Sequence, residues 1–166
     1  MIMSTSVIFV IALALLFDFL NGVHDSSNVV ATMISSRALS PRLALGMTAL
    51  ANFVGPFVFG VAVAETIGHE IVAAEAISET VLLAALISAS LWNLITWYLG
   101  IPSSSSHALI GGILGAVALG SGLDAIHAEG VWKIGLALFV SPLIGFVGGL
   151  IVMSTALFLA QSATPK

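Results

Sequence analysis

Apolar stretches about as long as a membrane is thick follow one another along the chain, with short polar segments between them. They cover about residues 3–36, 43–64 and 131–160, and two further apolar arms flank residues 100–107. A helix needs about 20 apolar residues to cross a bilayer. Only 7% of the residues are charged, against about 25% in soluble domains. The pattern therefore predicts an all-α, polytopic membrane protein of five to six helical segments.

The polar segments predict how the chain is oriented in the membrane. The turn at 35–42 carries Arg37 and Arg42, whereas residues 65–79 hold four glutamates and no basic residue. Basic residues favour cytoplasmic loops. We therefore expect a multi-pass protein of the inner or plasma membrane, with its N-terminus outside and its C-terminus, at Lys166, in the cytoplasm. The spacing of apolar residues within 65–79 predicts a short interfacial helix.

Three features bear on how the helices pack. The two arms around Pro102 either both cross the membrane or form a re-entrant hairpin. Gly111 and Gly115, like Gly145 and Gly149, form the G-x-x-x-G spacing that lets helices approach closely. We therefore expect these glycines to serve helix packing. We expect residues 1–166 to form a single transmembrane domain.

A polar cluster interrupts the first apolar segment. Positions spaced alternately three and four residues apart share one helix face: Asp18, Asn21, Asp25, Asn28, Thr32 and Ser35. An aspartate inside the apolar region costs at least about 2.5 kcal/mol, so Asp25 is predicted to serve a site. Gly22, Ser26 and Ser27 predict a local break in this helix, which is tolerated only where the backbone lines a cavity or is buried in protein. His24 is equally compatible with a ligand and with packing.

The second cluster, "PSSSSH", covers residues 102–107. Proline and serine suit the start of a helix, whose free N–H groups and positive dipole end bind oxyanions. A hydrolytic triad of Asp25, His107 and a serine is not expected. His107 directly follows the serines, a poor geometry for taking a proton from its neighbour, and no G-x-S-x-G elbow is present. We predict that the chain is not an enzyme.

From the residues alone, the two clusters suit either a cation or an oxyanion. Apart from Lys133, near the start of the last apolar stretch, no lysine or arginine lies within an apolar segment, so an oxyanion near Asp25 would have to be neutralised by co-bound Na⁺ or H⁺. This favours symport. The four basic residues form no patch for nucleic acid, and the lack of cysteine removes thiolate metal sites. We expect no cofactor and no metal other than Na⁺.

The two clusters resemble the hallmark motifs of the inorganic phosphate transporter (PiT) family, a G-x-N-D-x-x-N motif followed by P-x-S-[ST]-[ST]-H. Here they read "GVHDSSN" from Gly22 to Asn28 and "PSSSSH" from Pro102 to His107, with His24 in place of the asparagine. The chain is similar to the N-terminal half of that family throughout its length. The resemblance implies symport of inorganic phosphate with Na⁺ or H⁺, by alternating access around a midplane site between two inverted repeats.

The resemblance also implies roles for single residues. Phosphate would contact five of them: Asp25, Asn28, Ser104, Ser105 and Ser106. The co-ion would use Asn21, Gly22 and Asp25, with Asp18, His24, Thr32 and His107 in supporting positions. The chain contains no second copy of either motif. A second repeat unit is therefore an expected partner, whether it is fused, a separate chain or an antiparallel second copy.

Two alternatives stay open from the sequence. The substrate could be sulfate, which is also tetrahedral and is carried by some relatives of the family. The chain could also be a non-transporting membrane subunit, or a half-transporter, which packs against a partner through its glycine faces.

Overall fold

The computed structural model describes residues 4–60 and 70–161. In these ranges the chain forms five α-helices, which we number in chain order: α1 (Thr5–Ser35), α2 (Pro41–Phe59), α3 (Glu79–Leu99), α4 (Ser105–Gly120) and α5 (Ala128–Ala160). Two short 3₁₀ turns, Ala74–Ala76 and Leu123–Ala125, precede α3 and follow α4. The predicted all-helical fold, with five to six helical segments, is confirmed.

The first four helices all begin in the same way. The residue before each helix is a serine in extended conformation, whose hydroxyl accepts the backbone N–H three residues later. The oxygen–nitrogen distances are 3.3 or 3.4 Å. These caps are Ser4, Ser40, Ser78 and Ser104. Because a cap satisfies an N–H that the helix itself leaves unpaired, the serines fix where each apolar segment starts.

Helices α3 and α4 form a hairpin and make the most extensive helix pair of the described chain, followed by α1 with α3. Helix α3 ends at Gly100 in the left-handed conformation, with a φ of 65°. The close approach within the hairpin is at Gly112, where an added Cβ would lie 2.7 Å from the Ala85 carbonyl oxygen. Gly111 and Gly115 have open space instead. The prediction that this pair provides the close contact was therefore wrong by one position.

A short strap closes the end of the hairpin where α3 begins and α4 ends. An antiparallel β-bridge joins Val72 to Ile126. Ala73 N–H donates to the Ala125 carbonyl at 2.9 Å, and His127 N–H donates to the Ile71 carbonyl at 2.8 Å. The side chain of Val72 is fully buried. These bonds tie the segment before α3 to the segment after α4.

The chain divides into two compact units, one ending at His127 and one beginning at Ala128. The second unit contains α5, a single helix with Pro142 in its interior. Helices α1, α3 and α5 are each long and apolar enough to cross a membrane. The prediction of one domain over residues 1–166 stays a prediction.

Two expectations for residues 43–79 reach beyond the described residues. The second apolar stretch was predicted to extend to residue 64, and α2 is described as far as Phe59. The interfacial helix was predicted over 65–79, of which 65–69 lie outside the described residues. Its described part contains a 3₁₀ turn at Ala74–Ala76 and the bridge at Val72. From residue 70 onward, the prediction of an α-helix was wrong, because the backbone pairs with residues 125–127 instead.

The predicted break in the first helix is also wrong, since α1 runs without interruption from Thr5 to Ser35. The serines that suggested unwinding are accommodated inside the helix. Ser26 and Ser27 donate their hydroxyl protons to the carbonyls of Val23 and His24, one turn back. Such local bonds satisfy the hydroxyl without disrupting the ladder. An intact helix also keeps the Gly22 carbonyl engaged in its own hydrogen bond, which does not support the expected cation contact there.

Candidate functional site

The two polar clusters meet at the start of α4. Ser105, the first residue of that helix, donates its hydroxyl to Asp25 Oδ2 at 3.0 Å and lies in hydrogen-bond contact with Asn21 Oδ1. Asn21 and Asp25 are one turn apart on α1 and therefore on the same face. The Ser105 residue is 2% exposed, whereas the Asp25 side chain is 45% exposed. One side of the carboxylate is thus held by protein, and the other is open.

A serine hydroxyl has one proton, so it cannot donate to both acceptors. An asparagine amide has an oxygen that accepts and an NH₂ group that donates, and turning it over exchanges the two. With its amide turned over, Asn21 would donate to the Ser105 oxygen while Ser105 donates to Asp25. The three groups then form a directed chain of hydrogen bonds that ends on the carboxylate. Such a charge-assisted bond contributes about 1.5–3 kcal/mol.

The four consecutive serines have different local roles. Ser103 accepts a hydrogen bond from the Trp92 indole Nε1 at 3.0 Å, which fastens the turn to α3. Ser104 is the helix cap and accepts the His107 N–H at 3.4 Å. Ser105 points toward α1. Ser106 is exposed and, among the described residues, its hydroxyl has no hydrogen-bond partner. Of the four hydroxyls, only that of Ser106 makes no described hydrogen bond, while those of Ser103 and Ser104 act as acceptors and keep their own protons to donate.

The backbone at this helix start adds two further donors. Ser105 and Ser106 are the first two residues of α4, and the N–H groups of the first turn have no partner within the helix. Together with the positive end of the helix dipole, they favour an anion. At present the nearest negative group is the Asp25 carboxylate itself. An oxyanion that binds here must share this helix end with a carboxylate.

Asn28 lies next to the same turn but against a different part of it. A cavity of about 180 Å³ is lined by His24, Asn28, Thr96 and Pro102, among others. Asn28 makes no described contact with the serines. The structure therefore brings Asn28 to the turn around Pro102, one helical turn away from the contact between Asp25 and Ser105.

Three predicted supporting residues lie apart from this contact. Asp18 and Thr32 are exposed on α1, and neither makes a described side-chain hydrogen bond. His107 lines a groove of about 620 Å³ between α3 and α4, together with Trp92 and small residues such as Gly111. Their predicted roles are untested.

Sequence reasoning missed the polar face of α3. Ser90, Asn93 and Thr96 follow one another at intervals of three residues and are all buried. Their spacing in an otherwise apolar segment is a signal that the sequence contains. Thr96 donates to the Trp92 carbonyl at 2.9 Å. Neither Ser90 nor Asn93 has a side-chain hydrogen-bond partner among the described residues.

Comparison with known proteins gives a consistent set of relatives. A model described as the phosphate transporter family matches residues 21–165. A probable low-affinity inorganic phosphate transporter of Bacillus subtilis is 49% identical over 149 residues, which are 89% of this chain and 44% of that protein. One of the same description from Streptomyces halstedii is 44% identical over 165 residues, which are 98% of this chain and 76% of that protein.

A solved structure, the sodium-dependent phosphate transporter, matches with a TM-score of 0.81 and 31% sequence identity. The match covers 96% of this chain and 40% of the chain in that structure. The chain therefore spans less than half the length of that structure and of the Bacillus subtilis relative. These relatives are named as transporters, in agreement with the prediction that the chain is not an enzyme.

Proposed function

The chain belongs to the phosphate transporter family, and we propose that it supplies one half of a phosphate site near the middle of the membrane. The observation that carries this proposal is the contact of Ser105 with Asp25 and Asn21 at the start of α4. It joins two clusters that lie 80 residues apart in the chain. The phosphate oxygens would be held by the backbone N–H groups of Ser105 and Ser106 and by the Ser106 hydroxyl.

The position of this contact along α1 supports a site at mid-depth. Asp25 lies ten residues before Ser35, the last residue of α1, which is about 15 Å at 1.5 Å per residue. Arg37 and Arg42 follow this helix end and suit a membrane surface. The hydrocarbon core is about 30 Å thick. The same geometry favours a re-entrant hairpin of α3 and α4, because its turn lies beside the middle of a spanning helix.

Charge balance requires a co-ion. Arg37 follows the end of α1, and Arg42 lies in the first turn of α2, so neither lies on the part of α1 that carries Asp25. Phosphate and the Asp25 carboxylate repel each other when they share one helix end in an apolar surrounding. A cation between them removes this repulsion. We propose Na⁺ as that cation, supported by the sodium-dependent transporter with the same fold, with Asn21 and Asp25 supplying oxygen ligands.

A complete pathway would need a second unit. The chain spans under half of the Bacillus subtilis relative, and transporters of inverted-repeat design build their site between two similar units. We propose that a second repeat, fused, separate or a second copy, covers the open side of Asp25. Alternating access would then expose the phosphate to each side in turn, with the N-terminus of this unit outside.

Uptake by proteoliposomes tests the proposal. Vesicles carrying the protein as it exists in its membrane contain no phosphate at the start. An inward Na⁺ gradient is applied, labelled phosphate is added outside, and the amount taken up is measured. We expect Asp25→Asn to abolish gradient-driven uptake while the protein stays folded. The control is Asp124→Asn, which changes an exposed acid in the turn Leu123–Ala125. Uptake by Asp25→Asn at the wild-type rate, or stronger competition by sulfate than by phosphate, would contradict the proposal.

A further inference from the structure

Two polar side chains, one on α1 and one on α3, are buried and contain atoms that have no hydrogen-bond partner among the described residues. His24 on α1 is 7% exposed and Asn93 on α3 is 2% exposed. Among the described residues, the imidazole Nδ1 of His24 and both amide atoms of Asn93 have no hydrogen-bond partner. A buried polar group without a hydrogen bond lowers the stability of the folded protein. Three buried polar atoms without hydrogen bonds at one helix interface indicate that these side chains have a function other than packing.

Both side chains line the same small cavity. Its volume is about 220 Å³, and its remaining lining is apolar, with side chains such as Phe19, Leu94 and Trp97. No charged group lines it. The cavity therefore suits neither an anion nor a cation, which would need several oxygen ligands. It does leave room for the imidazole and the amide to turn toward each other or to share a water molecule.

His24 is also the direct neighbour of the candidate site. Its Nδ1 lies 3.8 Å from Asp25 Oδ1, while Asp25 Oδ2 is bonded by Ser105. An ionised carboxylate only accepts hydrogen bonds. A neutral His24 can therefore support Asp25 only if its proton is on Nδ1. With the proton on Nδ1, the other nitrogen, Nε2, is an acceptor, and a donor bonded to Nε2 holds the proton on Nδ1.

We propose that Asn93 is that partner and acts as a positioning residue. Its amide Nδ2 donates to His24 Nε2, directly or through one water, which holds the proton on Nδ1 and turns it toward Asp25. The cavity that they share provides the room for this bond. Through His24, α3 thereby fixes the carboxylate against which the start of α4 is placed. The importance of Asn93 for transport rests on the proposed function, whereas its effect on His24 can be measured separately.

Nitrogen NMR of the intact protein in lipid nanodiscs tests this inference directly. The four histidines are labelled with ¹⁵N, and the His24 signals are identified by their loss in His24→Asn. In the wild-type protein we expect His24 to carry its proton on Nδ1. A wild-type His24 with its proton on Nε2 would overturn the inference without the need for any variant.

Substitutions of Asn93 give the second arm of the test. Asn93→Leu keeps the branched skeleton of the side chain but removes the donor, and we expect His24 to lose its preference for Nδ1. Asn93→Ala serves the same purpose if the leucine variant does not fold. Asn93→Gln retains the donor, and the adjacent cavity accommodates its longer chain, so the wild-type signals should persist. The matched control is Ser90→Ala, which removes another buried, unpaired group of α3 and should leave His24 unchanged.

Phosphate binding links the inference to the proposed function. We expect Asn93→Leu to weaken the binding of labelled phosphate about tenfold, and Ser90→Ala to leave it unaltered. His24 signals that do not change in Asn93→Leu or Asn93→Ala would overturn the inference even if phosphate binds. Absence of phosphate binding by the wild-type protein would instead overturn the proposed function, while the NMR result for His24 would stand.

Discussion

At the level of single residues, different serines in the run of four serve ligand binding and helix stability. Ser105 holds Asp25, Ser106 has a free hydroxyl, and Ser104 caps the helix. We expect Ser105→Ala and Ser106→Ala each to weaken phosphate binding about tenfold, which corresponds to about 1.4 kcal/mol. Equilibrium binding of labelled phosphate measures this. Full affinity in both variants would mean that the start of α4 does not hold the substrate.

Ser104 should behave in the opposite way. Its hydroxyl accepts the His107 N–H, and loss of such a cap costs about 0.5–2 kcal/mol. We therefore expect Ser104→Ala to lower the thermal unfolding temperature, with a smaller loss of phosphate affinity than Ser105→Ala. Asparagine is an equally good cap, so Ser104→Asn should restore the stability. A variant Ser104→Asn as unstable as Ser104→Ala would show that the cap is not what Ser104 contributes.

At the scale of helices, the hairpin of α3 and α4 depends on one glycine. A Cβ at Gly112 would lie 2.7 Å from the Ala85 carbonyl oxygen, while one at Gly111 would meet open space. Forcing extra volume into a packed contact costs about 1–3 kcal/mol. We expect Gly112→Ala to destabilise the protein and to weaken phosphate binding, because α4 is pushed away from α3 and no longer places Ser105 correctly against α1.

The neighbouring glycine is the matched control for that experiment. Gly111→Ala adds the same methyl group on the same helix, where alanine favours the helix by about 1 kcal/mol over glycine. It should be neutral or slightly stabilising in thermal unfolding. Equal destabilisation by both substitutions would mean that the helix pair does not pack closely at Gly112.

At this scale it is also clear what a sequence can predict. The start of α4 was predictable because proline and serine before an apolar run are a local signal, and the family resemblance implied that the two motifs contribute to one site. The continuity of α1 was not predictable, because serines after Gly22 are typical of a helix break. Only the structure shows that their hydroxyls bond to the carbonyls of Val23 and His24. The close approach at Gly112 depends on the rotation of one helix against another, which G-x-x-x-G spacing does not specify.

At the scale of the whole molecule, orientation is the open prediction. The chain contains no cysteine, so a single introduced thiol can be labelled without background. We expect Ala38→Cys, in the turn between α1 and α2, to react with an impermeant reagent only from the cytoplasmic side. Leu123→Cys, in the turn after α4, should react only from outside. Labelling of both from the same side would contradict the predicted topology.

The strap between residues 71–73 and 125–127 determines where movement can occur. It fastens one end of the α3–α4 hairpin through a β-bridge and buried side chains such as Val72. The opposite end is the turn that carries the serines, where Ser105 forms hydrogen bonds to side chains of α1 and Ser103 accepts one from Trp92 of α3. A small rotation of the hairpin about its tethered end would therefore displace the serine turn, which faces the ligand, more than any other part of the hairpin.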